Sequence, residues 1–428
     1  MGASGESGAG VMAEDVSVET LAATVLQNPG GLEDPQGLLE VIRAEAPICP
    51  GPGGTFLISG YEEIRSIYVD HTHFSSAAAQ AKEADLYDRY AKTEQEAKVA
   101  RAMLGSQMFT TDEPDHSRLR AVARDAFSPK TIAKLRPMIE EIVDELIVEV
   151  QGQESFDVVR MLGYPLPEKV ICEILGAPFE DFHLWEAWGR VVSELPRTRQ
   201  PNEEEILGFI EVVNNFNNYF KKLIDERRDH AGDDLISAMI AANADEKVSD
   251  EELVASIMLI VVGGHDTTAN MVTNGLYWLL QKPEQYALLR EDPELVPSAV
   301  QEMLRYEPSA PFPLPRCAME DTEVAGVTIP EGSMVLLADH GGGRDPRRYD
   351  DPETFDVTRY VDRSATPHLS FGFGIHRCIG EHLARHELEA MFTAIVRDLP
   401  ELELVERGDW HDGFFRHLEE LVVKPKGT

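Results

Sequence analysis

The hydrophobic positions of the chain follow a helical period over most of its length. Between residues 129 and 228, apolar side chains recur at intervals of three and four, which places them on one face of each predicted helix. The pattern is broken at residues 163–165, 176–178 and 196–201, where glycine and proline occur. The last break separates two helices, and we predict that it is a mobile lid over a ligand site.

Strand patterns are short. Residues 55–59 predict a strand, residues 61–69 an amphipathic helix, and residues 326–332 a β-hairpin. Residues 76–107 are rich in Ala, Lys and Glu, and they predict a mostly polar helix on the surface. The predicted fold class is therefore mainly α with small β-sheets (α+β).

The start of the chain has a different composition from the rest. It is small, polar and rich in glycine, without the basic start and apolar core of a signal peptide. We predict that residues 1–20 are disordered. No internal repeat or shift of composition divides the remainder, so residues 21–428 are predicted to form a single domain.

One predicted helix is much longer than the others. Ser249 and Glu252 form a capping box at its start, and the helical pattern continues to about Gln281, where Pro283 ends it. A helix of this length spans roughly 45 to 50 Å, enough to cross the whole molecule. Residues 257–262 are apolar all round the helix, which predicts burial.

The middle of this helix carries Gly263 and Gly264 before His265, Asp266 and Thr267. Two glycines cost about 1 kcal/mol each relative to Ala inside a helix, so they need a reason. Either they allow close helix packing, with Thr267 bonded to the carbonyl four residues back, or they leave room for a flat cofactor. In the second case Asp266 and Thr267 offer a short proton relay. His265 points to another face, and we expect it to be a hydrogen-bonded core histidine.

A second unusual stretch is the glycine-punctuated loop at residues 371–380, which reads F-G-F-G-I-H-R-C-I-G. A helical pattern follows it over residues 381–397. Cys378 would therefore lie close to the positive end of a helix and to loop amides. Both effects are expected to lower the pKa of the thiol and favour the thiolate, the form that binds metals.

The spacing F-G-x-G-x-H-x-C-x-G resembles the cysteine loop of the cytochrome P450 family, in which the thiolate is the proximal ligand of a haem iron. Three further motifs occur in the family's order: H-x-x-x-R (His116, Arg120), [AG]-G-x-[DE]-T (263–267) and E-x-x-R (Glu302, Arg305). The resemblance covers about residues 35–425. It implies the cytochrome P450 fold, a triangular helical prism around a buried haem b, and a bacterial-type soluble haem-thiolate monooxygenase.

The resemblance also implies roles for individual residues. Cys378 would be the metal ligand, and Asp266 and Thr267 would be catalytic, delivering protons to the distal oxygen. The remaining cofactor contacts would be His116, Arg120, Gly264, Arg316, Phe371, Gly372, His376 and Gly380. Among these, the basic side chains would bind the haem carboxylates.

The positions that match substrate-contact regions of the family are all apolar or glycine: Leu259, Val262, Gly263, Phe312, Leu314, Phe414 and Phe415. None carries a charge that could hold a carboxylate. We therefore expect a small to medium hydrophobic substrate, such as a terpenoid, a steroid or an aromatic compound.

The resemblance further implies a structural ion cluster behind the cysteine loop. Glu302, Arg305 and Arg359 would form it, without a catalytic role. One departure from the family is the run of glycines at residues 341–343, where relatives commonly carry Ala-Asn. It predicts a looser turn at that point.

Charge and composition limit the partners. Lys and Arg number 39 and Asp and Glu 76, giving a net charge of −37, which argues against binding to nucleic acid or to an anionic membrane. The longest apolar run, residues 257–262, is too short to span a bilayer. Four cysteines without framework spacing indicate a reducing compartment, so we predict a cytoplasmic monomer.

Electrons must come from another protein, because the chain shows no glycine-rich dinucleotide fingerprint. A separate ferredoxin or flavodoxin with its reductase is the predicted donor. Such carriers are usually acidic, so docking needs a basic patch on the cysteine side. The candidates are Arg118, Arg124, Arg344, Arg347, Arg348 and Arg377.

Three alternatives stay open at this point. The protein could be a peroxygenase that uses H2O2 directly, although such an enzyme needs no relay of the Asp266–Thr267 type. It could be a non-catalytic haem sensor or carrier. A third alternative places zinc on Cys378, His382 and His386.

Overall fold

The computed structural model describes residues 16–28, 30–81, 90–193, 202–245, 247–312, 315–362, 364–411 and 413–427. The α-helices are α1 (Val18–Gln27), α2 (Pro35–Glu45), α3 (Tyr61–Val69), α4 (Glu94–Gly105), α5 (Asp115–Arg124), α6 (Pro129–Val150), α7 (Pro165–Leu175), α8 (Phe182–Ser193), α9 (Glu203–Asp229), α10 (Leu235–Ala242), α11 (Asp250–Gln281), α12 (Pro283–Glu291), α13 (Val296–Tyr306), α14 (Asp339–Gly342) and α15 (Glu381–Asp398). The structure is 59% helical with small sheets, which confirms the predicted fold class.

The strands form three small sheets. They are β1 (Ile48–Pro50), β2 (Thr55–Ile58), β3 (Phe74–Ser75), β4 (Phe156–Asp157), β5 (Arg316–Ala318), β6 (Thr322–Val324), β7 (Val327–Ile329), β8 (Met334–Leu337), β9 (Leu402–Arg407) and β10 (Leu421–Pro425). The largest sheet has the order β1-β2-β8-β5-β3, a second has the order β4-β10-β9, and the predicted hairpin is the pair β6-β7. Thr55 of β2 lies opposite Met334 of β8 in a parallel pair.

Helix α11 is the centre of the packing. Ser249 accepts a bond from the amide of Glu252, whose carboxylate accepts one from the amide of Ser249 at 2.7 Å, so the predicted capping box is confirmed. The helix contacts α4, α7, α8, α9, α13 and α15. Its residues from Leu253 to Met258 are buried, and the largest hydrophobic cluster surrounds it. The helix continues through residues 263–267 without a break.

The structure differs from two expectations that were based on polar composition. Val99, Ala100 and Met103 of α4 are almost fully buried, because this face of the helix packs against α9 and α11. The prediction of a surface helix is therefore wrong for that face. Helix α1 begins at Val18, inside the segment expected to be disordered.

Two predicted segments fall outside the described residues, at least in part. They are residues 1–15 of the start expected to be disordered, and residues 196–201, the predicted lid.

The predicted ion cluster is present: Glu302 and Arg305 are fully buried, and the Arg359 side chain is 14% exposed. Arg305 donates two bonds of 2.7 Å to the carboxylate of Glu302, and Arg359 donates to the same carboxylate at 3.1 and 3.2 Å. The amide of Asp356 adds a fourth donor group at 2.9 Å. Removing one partner from such a buried set would leave an uncompensated charge, at a cost of about 3–5 kcal/mol.

The glycine run does not loosen its turn, contrary to expectation. Gly342 ends the buried helix α14, and a Cβ atom there would overlap Cδ1 of Leu369 and lie 2.8 Å from Cδ1 of Ile64. A Cβ at Gly343 would lie 2.8 Å from the carbonyl oxygen of Arg305. The glycines therefore allow the chain to pack closely before Arg344.

We predict that Gly342→Ala lowers the free energy of unfolding by about 1–3 kcal/mol, because the new methyl group overpacks a filled core. Gly208→Ala is the matched control, since nothing lies within 4 Å of a Cβ built at this position inside α9. It should stabilise by about 0.5–1 kcal/mol through helix propensity. Denaturant unfolding of both variants measures the difference. Equal effects would contradict the close packing of α14.

Candidate active site

The cysteine loop is held against helix α3. The amide of Cys378 donates to the carbonyl of Phe371 at 2.8 Å, which closes the loop on itself. Gly374 has a φ of 69°, and a Cβ atom there would lie 2.6 Å from the carbonyl oxygen of Tyr68. Only glycine combines this backbone shape with this approach. The loop consequently presents Cys378 just before the first turn of α15.

The sulfur of Cys378 lies deep in the molecule but borders a cavity, so its side chain counts as exposed. Burial raises the pKa of the Cys378 thiol, although the amides of Gly380 and Glu381 oppose this. The expected lowering of this pKa is therefore wrong for the chain alone. The penalty of burying a bare thiolate exceeds the stabilisation from the helix N-terminus, and a metal cation at the sulfur would reverse the balance.

The cavity lies between α11 on one side and the cysteine loop with α15 on the other. It contains about 970 Å³ of empty space, including its opening to solvent. Most of its lining is apolar. The residues predicted from the sequence that line it are Arg120, Leu259, Gly263, Gly264, Thr267, Phe371, His376, Cys378 and Gly380.

The two adjacent glycines of α11 serve different purposes. A Cβ at Gly264 would lie 3.2 Å from Cδ1 of Ile171, so this glycine allows α7 to pack closely. A Cβ at Gly263 would meet nothing closer than Leu259 at 4.0 Å, so this glycine leaves room in the cavity. The hydroxyl of Thr267 donates to the carbonyl of Gly263 at 2.6 Å. Both explanations considered for the glycines therefore apply.

Asp266 and Thr267 do not lie together at the cavity. Thr267 lines it, whereas Asp266 is not among the lining residues and accepts a bond from Nδ1 of His265 at 2.8 Å. Neighbouring residues on a helix point about 100° apart, which accounts for the separation. His265 is 5% exposed and hydrogen-bonded, as expected of a core histidine.

Basic side chains crowd one end of the cavity. His116 and His376 are stacked edge to face with 4.6 Å between ring centroids, and Arg316 is 6% exposed. Arg120 donates to the carbonyl of Arg377 at 2.7 Å. His116 Nε2 and His376 Nδ1 are buried with no hydrogen-bond partner among the described residues.

The titration of these residues reflects that crowding. Burial lowers the pKa of His116, and burial together with Arg316, His116 and Arg120 lowers the pKa of His376 to about 3. Burial also lowers the pKa of Arg316. A ligand carrying carboxylates would accept hydrogen bonds from these groups and stabilise their charged forms.

The predicted substrate positions are only partly in place. Phe312 is 3% exposed within the cluster formed by α1, α2 and the first strands, so it is a core residue and its assignment was wrong. Val262 packs near Gly189 of α8 and is not part of the cavity lining. Phe414 and Phe415 contact each other edge to face, with 5.0 Å between ring centroids, and also lie outside the lining. Leu314 lies outside the described residues.

Sequence reasoning missed several residues of the cavity wall. Met108, Phe109, Phe127, Ile171, Ile174, Leu175, Ile260, Thr268, Ile379, Leu383, Ala384 and Glu387 also line it. Helical spacing held the missing signal for α15, since Gly380, Leu383, Ala384 and Glu387 share one face. Glu387 is 2% exposed, and burial raises its pKa to about 8.

The predicted docking arginines differ in their availability. Arg344 is 3% exposed and bonded to Glu353, so its assignment to a surface patch was wrong. Arg118, Arg347 and Arg348 are engaged with carboxylates of their own surroundings. Arg124 and Arg377 also face carboxylates, those of Asp125 and Glu381, but their side chains are the most exposed of the set, at 70% and 53%.

The alternative with zinc gains no support. Within the described ranges, no group of three His, Cys, Asp or Glu side chains is arranged to hold a metal ion. His386 faces Glu389 at 3.8 Å. A haem, which needs one protein ligand, is compatible with this arrangement.

Comparison with known proteins decides the family. The model of the family described as cytochrome P450 matches residues 51–427. The chain belongs to the cytochrome P450 family. It is 33% identical to the biotin biosynthesis cytochrome P450 of Bacillus subtilis (strain 168), over 92% of this chain and 96% of that protein.

Further P450 relatives agree over almost the whole chain. The 6-deoxyerythronolide B hydroxylase of Saccharopolyspora erythraea is 34% identical over 90% of this chain and 95% of its own. The structure of P450BioI in complex with hexadec-9Z-enoic acid ligated acyl carrier protein has a TM-score of 0.82. It is 32% identical and covers 95% of this chain and 100% of that one. The P450 fold and P450 monooxygenase chemistry follow.

The residues present fit the family's cofactor, protoporphyrin IX iron held by a cysteine. Cys378 supplies a thiol at the cavity, and Gly263 leaves space above it. The unpaired nitrogens of His116 and His376, with Arg316 and Arg120, suit the two haem carboxylates. No helix among the described residues has the length and apolar character needed to cross a membrane.

We predict that His376→Leu weakens haem retention roughly 10- to 150-fold, because a hydrogen bond to a charged group contributes about 1.5–3 kcal/mol. The rate of haem transfer to an excess of an apo-globin measures this. His71→Leu, at an exposed histidine, is the matched control and should transfer haem at the wild-type rate. Unchanged retention in His376→Leu would remove His376 from the haem site.

Proposed function

We propose that this P450 inserts one atom of O2 into a small to medium hydrophobic substrate, such as a terpenoid, a steroid or an aromatic compound. The observation that supports this most strongly is the cavity between Cys378 and the wall formed by Gly263 and Thr267. Its lining is mainly aliphatic and aromatic, which favours apolar ligands. Among the relatives named above, one is a 6-deoxyerythronolide B hydroxylase, and one structure contains hexadec-9Z-enoic acid ligated acyl carrier protein. The proposed substrate class therefore depends on the residues that line the cavity.

The side chains of this protein would hold and orient the haem. When bound, haem supplies O2 binding and cleavage of the O–O bond. Cys378 would be its ligand, with the amides of Gly380 and Glu381 stabilising the negative charge on the sulfur. His116, Arg120, Arg316 and His376 would bind the carboxylates, and Gly264, Phe371 and Gly372 would border the ring.

Thr267 and Asp266 would deliver protons. The Thr267 hydroxyl is already ordered by its bond to the Gly263 carbonyl, and its oxygen can accept a hydrogen bond from the cavity side. Asp266 would relay protons from the far side of α11. To do so, its carboxylate must first leave His265 and take up a proton from water. The apolar lining would exclude bulk water from this exchange.

The reaction can be tested without knowing the substrate in advance. A panel of hydrophobic compounds is titrated against the haem spectrum, and compounds that shift it are incubated with isotopically labelled O2, NADH and a ferredoxin chain. We expect one labelled oxygen atom in the product. The matched reaction uses unlabelled H2O2 without electron donors. Efficient product formation by H2O2 alone would favour a peroxygenase, and spectral shifts only with anionic or sugar-like ligands would contradict the substrate class.

Electrons would come from a separate ferredoxin or flavodoxin that docks beside the cysteine loop. Arg124 at the end of α5 and Arg377 in the loop are the surviving members of the predicted patch. Lys130 and Lys134, both exposed in the first turns of α6, extend it. Basic side chains here would attract an acidic carrier, although the chain as a whole is strongly acidic.

We predict that Arg124→Glu slows reduction by an acidic ferredoxin by about tenfold at low ionic strength, and that the difference shrinks as salt is added. Lys222→Glu is the matched control, because it makes the same charge change at an exposed position of α9. Stopped-flow reduction kinetics measure both variants. Equal rate constants and equal salt slopes for the two variants would place the docking surface elsewhere.

The location in the cytoplasm stays a prediction. The cysteines are free thiols, as expected in a reducing compartment. The predicted monomer is likewise a proposal, and gel filtration of the holoenzyme measures it.

A further inference from the structure

His265 binds two carboxylates through the two nitrogens of its ring. Its Nδ1 lies 2.8 Å from Oδ1 of Asp266, the next residue on α11. Its Nε2 lies 3.5 Å from Oε1 of Glu168 on α7, an ion-pair distance rather than a hydrogen bond. The Glu168 side chain is 18% exposed, so this arrangement connects Asp266 to a partly exposed carboxylate on another helix.

The ring is fixed in place by aromatic neighbours. Tyr164 stacks on it with 5.3 Å between centroids and an interplanar angle of 29°, and Phe182 of α8 lies 5.1 Å away. His265 itself is 5% exposed. A ring packed in this way cannot turn to exchange its partners, so each nitrogen keeps the carboxylate that it faces.

The other titratable groups around the ring are neutral near pH 7. Burial raises the pKa of Tyr164 to about 12, and burial raises that of Glu387 on α15 to about 8. Burial lowers the pKa of His417, which interacts with Asp266 from the C-terminal segment, to about 4. The charges that face the ring are therefore those of Asp266 and Glu168.

Two carboxylates beside a buried imidazole ring favour its doubly protonated form. Burial alone would lower the pKa of His265, but its contacts with Asp266 and Glu168 raise it to about 9. The imidazolium form is then the stable one at neutral pH. Its positive charge holds the Asp266 carboxylate beside the ring, away from the cavity that Thr267 lines.

We propose that His265 and Glu168 are positioning residues for Asp266: the doubly protonated ring holds the Asp266 carboxylate beside α7, and Glu168 keeps the ring doubly protonated. The inference rests on the proposed role of Asp266 in proton delivery. It adds that delivery begins with the release of Asp266 from an imidazolium. Glu168, on another helix, sets how tightly Asp266 is held.

The pH dependence of this arrangement has a definite sign. The pKa of His265 is raised in the folded protein, so the stabilisation it gives is complete at low pH and is lost as pH rises through about 9. Above that pH the neutral ring holds Asp266 less tightly. In Glu168→Gln one of the two carboxylates is gone, and the same loss occurs at lower pH.

The charge of the ring can be measured directly. The holoenzyme is labelled with nitrogen-15 histidine, and its ring nitrogens are followed from pH 6 to pH 10 in the diamagnetic, reduced carbon monoxide complex. His265→Gln identifies the signal among the 13 histidines. We expect this ring to titrate near pH 9 in the wild type and about one pH unit or more lower in Glu168→Gln. Glu173→Gln, at an exposed acid of the same helix, should leave the titration unchanged.

A functional readout accompanies the titration. The ratio of product formed to NADH consumed is measured against pH, with a compound that shifts the haem spectrum. The change of this ratio at alkaline pH should shift along the pH axis in Glu168→Gln by the same amount as the ring signal, and it should keep its position in Glu173→Gln. In His265→Gln, where an uncharged donor replaces the ring, the change at alkaline pH should disappear.

The possible outcomes distinguish a failure of this inference from a failure of the proposed function. A ring that is singly protonated at pH 7, or that titrates alike in Glu168→Gln and the wild type, overturns the inference. A ring that shifts while the product ratio keeps its pH profile overturns the positioning role. A wild-type enzyme that forms no product with any compound instead contradicts the proposed function, and the ring titration still tests the arrangement of His265 between its two carboxylates.

Discussion

The position of the cysteine loop depends on the bonds made by the buried carboxylate of Glu302. It accepts bonds from Arg305 and Arg359 and from the amide of Asp356, and it joins helix α13 to the irregular segment that leads to the cysteine loop. Arg305 extends the network to the carbonyls of Gly343, Pro352 and Thr354. Since that segment has almost no regular structure of its own, these bonds determine where the cysteine loop begins.

Helix α11, which forms the wall of the cavity opposite the cysteine loop, is held by packing rather than by charge. Helix α11 is fixed by its capping box and by apolar contacts with the helices around it, and its glycines divide two tasks. Gly264 allows α7 to approach, and Gly263 leaves space for a ligand. The cavity exists because a rigid, charge-fixed loop and a rigid, apolar helix face each other across it. The proposed haem chemistry would need that rigidity, because Cys378 and Thr267 must keep their positions across the cavity.

Local patterns carried most of the prediction. The helical period and the capping box predicted the bounds of α11. The loop motif and the H-x-x-x-R motif predicted Cys378, His376 and Arg120, which line one cavity. The predictions that failed, and the pairing that was missed, concern residues whose surroundings are formed by parts of the chain distant in sequence. Phe312 is as apolar as a pocket residue but packs into a core near α1 and α2. The thiol of Cys378 has a raised pKa because burial, which a sequence does not display, outweighs the nearby amides. Glu168 lies almost a hundred residues from His265 in the chain, so no local pattern pairs them.

The central claim is that Cys378 is the thiolate ligand of a haem. The absorption spectrum of the reduced protein with carbon monoxide tests it most directly, in the wild type and in Cys378→Ser. The account predicts the red-shifted Soret band typical of a haem-thiolate complex in the wild type and its loss in the variant, with the protein still folded by circular dichroism. A wild-type protein without that band, or a variant that retains it, would contradict the account.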